Sequence, residues 1–122
     1  MSLFQVKSFV GAAGSVLPWR IECDALTDED WETIAAIASP KIPAFGAAVG
    51  VPTGGHKLAI AVGRYRRTDD GPFLIVDDVW TTGASMNRMA GSLIPGRQWH
   101  GFVAFARGPL PPHVRCFMQT EF

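Results

Sequence analysis

The sequence predicts an α/β layer fold with a largely parallel central sheet. Three observations predict it. Strand-like and helix-like stretches alternate along the chain, two strand–turn–helix units recur, and the composition suits a buried core, with 48% hydrophobic and 18% charged residues. The 122 residues make one domain, 1–122, able to bury roughly two-thirds of the surface exposed when unfolded. Acids and bases balance at 11 each, so no overall field draws the chain to nucleic acid or an anionic membrane, and any anion site must be local.

In chain order, FQVKSFVGAAGSVLPWRIECDAL holds two short apolar pieces separated by Gly11, Gly14 and Ser15, which predicts a turn and then a strand near Trp19 to Cys23. In TDEDWETIAAIA, Thr27 can cap a helix and Asp28, Glu29 and Asp30 suit its positive first turn, while Trp31, Ile34, Ala35 and Ala38 share one face. Pro40 and Pro43 end that helix. The small-residue run AFGAAVG, Ala44 to Gly50, predicts a buried strand, VPTGG a turn, and HKLAIAVGRY a second helix.

After the short link RRTDDG, FLIV begins the most apolar strand. From Ser85 onward Met86, Met89, Ala90 and Leu93 recur at helical spacing as a core face, and Pro95 and Gly96 stop the helix. Two β-rich runs, HGFVAFA and VRCFMQTEF, flank the turn-forming GPLPP. No apolar run approaches the ~18–20 residues needed to cross a bilayer. Cys23 and Cys116 form neither a metal spacing nor a disulfide framework, and no signal-like segment precedes the first patterned stretch. A soluble, cytoplasmic protein is expected.

The chemistry concentrates in FLIVDDVWTTGASM, Phe73 to Met86, where two acids stand at the end of the apolar strand. In an open parallel sheet, ligands bind beyond the carboxyl ends of the strands, where a loop hands over to the next helix. The small residues Thr81, Thr82, Gly83, Ala84 and Ser85 let backbone N–H groups and hydroxyls converge on an anion such as a phosphate monoester, helped by the helix dipole. Asp77 and Asp78 would repel that phosphate unless they face other groups. Sugar hydroxyls, or Mg²⁺ bridged to a pyrophosphate, are such groups. Acids for hydroxyls followed by a phosphate cradle describe a 5-phosphoribosyl group.

These residues closely resemble the phosphoribosyl diphosphate (PRPP) motif of type I phosphoribosyltransferases: a hydrophobic strand, two acids and a Thr-Thr-Gly-small-Ser/Thr loop. The resemblance implies that family's Rossmann-like fold with a minimal hood. It also implies that Asp77 and Asp78, the candidate catalytic pair, contact the ribose hydroxyls and Mg²⁺ carried by the substrate, while Thr81, Thr82, Gly83, Ala84 and Ser85 hold the 5-phosphate. AVGVPTGGHKLA looks like the family's strand, pyrophosphate loop and helix, which puts Val51, Pro52, Thr53, Gly54 and Gly55 beside the diphosphate. The N-terminal FQVKSFVGAAGSVLPWRIECDAL is similar to the hood segment of orotate phosphoribosyltransferases. The expected partners are PRPP and a nucleobase or nucleotide, with orotate or another pyrimidine favoured by the hood, and a homodimer is the family's usual assembly.

One departure matters. The family places a further strand and a long basic lid between the second helix and the motif strand, and here only RRTDDGP is available. Seven residues span at most about 25 Å and cannot supply both. Lys57, Arg64, Arg66 and Arg67 are the nearest cations that could substitute, and without a substitute the domain could bind PRPP without transferring anything. Trp80, inside the motif, can pack beneath the loop, stack on a base or join a subunit interface. His56 is expected to be exposed, and His100 and His113 have no metal-like spacing.

Overall fold

The computed structural model describes residues 3–5, 9–10, 16–17 and 20–120. Strands β1 (Phe4–Gln5), β2 (Phe9–Val10), β3 (Val16–Leu17) and β4 (Arg20–Ile21) form two antiparallel ladders, β2 with β3 and β1 with β4. The expected strand near Trp19 to Cys23 is therefore Arg20–Ile21, followed by a 3₁₀ turn at Cys23–Ala25. Trp19 and the turn at Gly11, Gly14 and Ser15 lie outside the described residues.

Helix α1 (Asp28–Ala38) begins where its cap chemistry requires. Thr27 Oγ1 accepts from Asp30 N–H at 3.1 Å, and Thr27 N–H donates to the Asp30 carboxylate at 2.8 Å, so two amides that the first turn leaves unpaired are satisfied reciprocally. The expected face, Trp31, Ile34, Ala35 and Ala38, is the buried one. Next come β5 (Ala47–Gly50), α2 (His56–Gly63), β6 (Phe73–Trp80), α3 (Ala84–Leu93), β7 (Trp99–Arg107) and β8 (Val114–Thr120). The last four strands make one parallel sheet in the order β5-β6-β7-β8.

Strand alternation sorts the sheet's side chains into two apolar layers. Leu74, Val76, Phe102 and Ala104 pack with α1 and α2, while Ile75 and Val103 pack with Met86 and Ala90 of α3. Several boundaries differ from expectation. β5 begins at Ala47 rather than Ala44, and as an edge strand it is exposed to half-buried rather than buried; just ahead of it Gly46 N–H donates to Pro72 O at 2.9 Å. α2 ends at Gly63 rather than Tyr65, where Tyr65 and Arg66 N–H groups turn back to Val62 and Gly63 carbonyls. Leu93, expected in the core, is 47% exposed. Its face of the sheet carries α3 alone among the described helices, so only a narrow stripe of α3 finds a partner.

The β7–β8 connection is short for two parallel strands, which ordinarily need a dozen residues or more. Gly108–His113 must return the chain from Arg107 to Val114, which pairs with Gly101. That is roughly 20 Å of strand, against a reach of about 25 Å. Pro109 and Pro111 favour the extended conformation this demands, before Val114 N–H closes a turn on Pro111 O at 3.1 Å.

The helices also reveal an unusual chirality. β5, β6 and β7 are adjacent, parallel and in sequence order, so both crossovers step across the sheet in the same direction. Their helices lie on opposite faces. The two βαβ units therefore have opposite hands, although right-handed crossovers account for ≈ 98% of such connections. No helix among the described residues is long and apolar enough to cross a membrane.

Candidate functional site

The site elements gather at the carboxyl end of the parallel sheet. β6 runs beyond FLIV through both acids to Trp80, and its pleat slips at the acids. Leu74 and Val76 lie in the α1/α2 layer, and Val79 joins them there instead of alternating away. β7 slips in step, with Ala104 and Phe105 on the same side, so the register resumes at Val79↔Phe105. At the slip, Asp78 N–H donates to Asp77 Oδ1 and Val79 N–H to Asp78 Oδ1, each at 2.8 Å. Each carboxylate is thus pinned by the amide that follows it.

Both acids are half-buried. Burial first, then the hydrogen bond and charge of Asp78, hold the Asp77 carboxyl well above the ordinary carboxylate range. Nearby, burial and then the carboxylates of Asp78, Glu22, Asp24 and Asp77 push the Cys23 thiol up, so it stands as a neutral thiol and not as a nucleophilic thiolate.

The loop Val51–Gly55 docks against β6. Val51 N–H donates to Val76 O at 2.8 Å and Gly55 N–H to Val51 O at 2.9 Å. Val51 and Gly55 are buried, leaving Pro52, Thr53 and Gly54 exposed; the Pro52–Thr53 peptide is cis. A side chain at Gly54 would collide with the Asp78 carboxylate, so loop and acid approach as closely as backbone allows. Thr53, Gly54 and Asp78 share a cavity of about 200 Å³ with Cys23, Asp24, Leu26, Trp31 and Lys57.

On the α3 side, Gly83 takes φ 83°, ψ 5° as the N-cap and gives the helix no side-chain cap. Thr81, Thr82 and Ala84 are exposed, and Thr82 Oγ1 accepts from Ala84 N–H at 3.3 Å. The start of α3 is thus solvent-facing beside Thr81 and Thr82, with Ala84 N–H held by the Thr82 hydroxyl, and a helix start of this kind suits an anion. Ser85 lines a second groove, of about 420 Å³, with Val51 and Pro52 of the other loop and Arg88, Met89, Ser92 and Leu93. Trp80 is 7% exposed, and a methyl group at Gly83 would collide with its indole. Of the three roles open to Trp80, the structure shows packing beneath the loop.

Arg64 and Arg66 follow α2, which carries the chain about 12 Å away from its start beside Gly55 at 1.5 Å per residue. They lie towards the amino end of the strands. Arg64 pairs with Glu32 at 2.7 Å, Arg66 with Asp69 at 3.1 Å and with the Gly46 carbonyl, and Arg67 with the Ile42 carbonyl. Charge reversal at Arg64 and Arg66 should leave any anion affinity at this end of the sheet, probed with Mg–diphosphate, within about twofold of wild type, because charges beyond a Debye length of about 8–10 Å are largely screened; isothermal calorimetry checks this. Lys57 does line the cavity.

Sequence reasoning missed Cys23, Asp24, Leu26 and Trp31 as cavity walls. They reach Asp78 only through tertiary packing, and the nearest signal was the acid after Cys23. His56 is exposed as expected. His113 meets Trp99 edge-on at 4.6 Å, and no group of three metal-binding side chains occurs among the described residues.

No family model and no curated protein matches the sequence. Among solved structures the chain is similar to the crystal structure of orotate phosphoribosyltransferase from Aeropyrum pernix. The TM-score is 0.72 and the identity 19%, over 96% of this chain and 88% of that one. The parallel sheet flanked by helices is thus the fold of that protein.

Proposed function

We propose that the protein transfers ribose 5-phosphate from PRPP to a nitrogenous base with release of diphosphate. The observation that carries this reading is the meeting, at one end of the sheet, of two pinned acids, a glycine loop abutting one of them, and a helix start whose N-cap is a glycine. Transfer weakens the bond from the sugar's anomeric carbon to diphosphate and builds positive charge on the sugar ring. Asp77 and Asp78 accept hydrogen bonds from the ribose hydroxyls and keep negative charge near that ring. N–H groups of Thr82 to Ser85 hold the 5-phosphate, and Val51 to Gly55 line the diphosphate's position. Orotate or another pyrimidine is the acceptor class favoured by the likeness, and a homodimer, tested by light scattering, belongs to the same reading.

Mg²⁺ fits these residues as a substrate-borne ion. It takes oxygen ligands, needs only one or two carboxylates beside phosphate oxygens, and finds Asp77 and Asp78 here; when bound it neutralises diphosphate charge.

The raised Asp77 pKa gives a prediction. Hydroxyl donors and a cation favour the ionised carboxylate, so Mg–PRPP binding should release protons near neutral pH, and affinity should strengthen as pH rises towards the pKa of free Asp77. Calorimetry in two buffers of different ionisation enthalpy checks this, and zero proton release would remove Asp77 from the contact.

A second reading is a domain that binds PRPP or a nucleotide without catalysis. The absence of a lid favours it, since RRTDDGP passes straight from α2 into β6 with its arginines engaged elsewhere. Turnover of PRPP with a panel of bases, run beside calorimetry, separates the readings: binding with turnover supports transfer, binding alone the second, and neither overturns both.

A further inference from the structure

We infer that Asp28 and Lys57 form an exchangeable ion pair that regulates anion binding in the cavity beside Asp78, with Lys57 leaving Asp28 for the ligand's phosphate oxygens. The inference rests on the PRPP-site reading above and adds the cation that reading lacks. Carboxylates of Asp24, Asp77 and Asp78, with Glu22, surround Cys23 in this corner. A diphosphate entering there needs a compensating positive charge, because unpaired like charges in a partly desolvated cleft are costly. Lys57 is the one cation among the described residues that line the cavity.

Its position suits a switch. Lys57 and Trp31 line both this cavity and a neighbouring depression that contains Asp28, Glu32, Ile60 and Arg64, so the lysine stem stands on the divide. Its Nζ sits 3.2 Å from Asp28 Oδ1, on the far side, with side chains 65% and 86% exposed. Such an exposed pair contributes little to stability, so turning Lys57 inward costs little. Asp28 is the first residue of α1 and does not line the cavity. It acts as a positioning residue, holding Lys57 outside while the site is empty.

The test is a calorimetric cycle with Mg–diphosphate on the full chain. Lys57→Met should weaken binding about tenfold or more, the loss of one charge-assisted contact, and Lys57→Arg should restore most of it. Asp28→Asn should tighten binding about two- to fivefold by freeing the lysine. The double variant Asp28→Asn/Lys57→Met should bind like Lys57→Met alone, since the gain needs the lysine. A merely structural pair would give loss in both single variants together with a lowered melting temperature. Unchanged or weaker binding in Asp28→Asn, or additive effects in the double variant, would overturn the exchange while leaving the PRPP-site reading intact. Wild type that binds neither Mg–diphosphate nor Mg–PRPP overturns that reading and the exchange with it.

Discussion

The double substitution Asp77→Asn/Asp78→Asn is expected to abolish PRPP binding and to raise stability at neutral pH. Two charge-assisted contacts at ~1.5–3 kcal/mol each amount to an affinity loss of about 10²- to 10⁴-fold. The fold should survive, because the amides of Asp78 and Val79 donate to Oδ1 atoms that Asn retains. The stability gain follows from Asp77, whose folded pKa is raised above the ordinary 3.8. The native state binds that proton more tightly than the unfolded chain, so stability is fully present below about 4 and is lost as pH rises towards the folded value. Asn does not titrate, so melting curves of variant and wild type should coincide near pH 4 and diverge in the variant's favour by pH 8. Undiminished PRPP affinity would remove both acids from the site. A pH-independent difference in melting temperature would show that Asp77 does not carry the strain.

Much of this site was legible because its logic is local. Thr27 to Asp30 and the motif from Phe73 to Met86 specify a cap, a strand tip and a helix start within fourteen residues or fewer, and each part acts on neighbours in sequence. What could not be read depends on where elements lie in space. Arg64 stands nine residues after Gly55, close enough in sequence to suggest a shared site, yet the eight residues of α2 carry it towards the other end of the sheet. Helix length alone could have warned of this. Trp31 and Cys23 reach Asp78 from α1 and the 3₁₀ turn before it, 47 and 55 positions earlier in the chain, and no local pattern encodes that meeting. The three roles that the sequence leaves open for Trp80 narrow to packing because Gly83 rests on its ring.

The opposite hands of the two crossovers belong with the short RRTDDGP link. One of the two crossovers runs against the usual hand, and a strand on the other side of β5 would reverse the hand of the α2 crossover. With the link this short, α2 keeps its face of the sheet and the chain must enter β6 directly. The loops of the proposed site follow β5 and β6 themselves, so the proposed phosphate cradle and the acid pair do not depend on a further strand. A lid would depend on it. Under the PRPP reading the proposed site needs only the ends of β5 and β6, whereas transfer also needs a closing element, so turnover measured beside binding separates the two readings.

Gly83→Ala should lower both stability and PRPP affinity, and the cause can be separated by a second substitution. At φ 83° any side chain pays a left-handed penalty of about 1–2 kcal/mol. The added methyl also meets the Trp80 indole, and overpacking of this kind, typically about 1–3 kcal/mol, brings the total to about 2–5 kcal/mol. Because the N–H groups proposed to hold the 5-phosphate follow Gly83, displacing it should weaken Mg–PRPP binding about tenfold even without base. Trp80→Leu opens space beneath the loop. Combined with Gly83→Ala it should relieve the collision but not the backbone cost, so the double variant should be less destabilised than the sum of the single variants by about 1 kcal/mol. Strict additivity in chemical denaturation would mean that the ring does not support the loop. The same Trp80→Leu chain distinguishes support from base stacking: a supporting ring predicts weaker Mg–PRPP binding in the absence of any base, whereas a stacking ring predicts unchanged PRPP affinity and altered base preference alone.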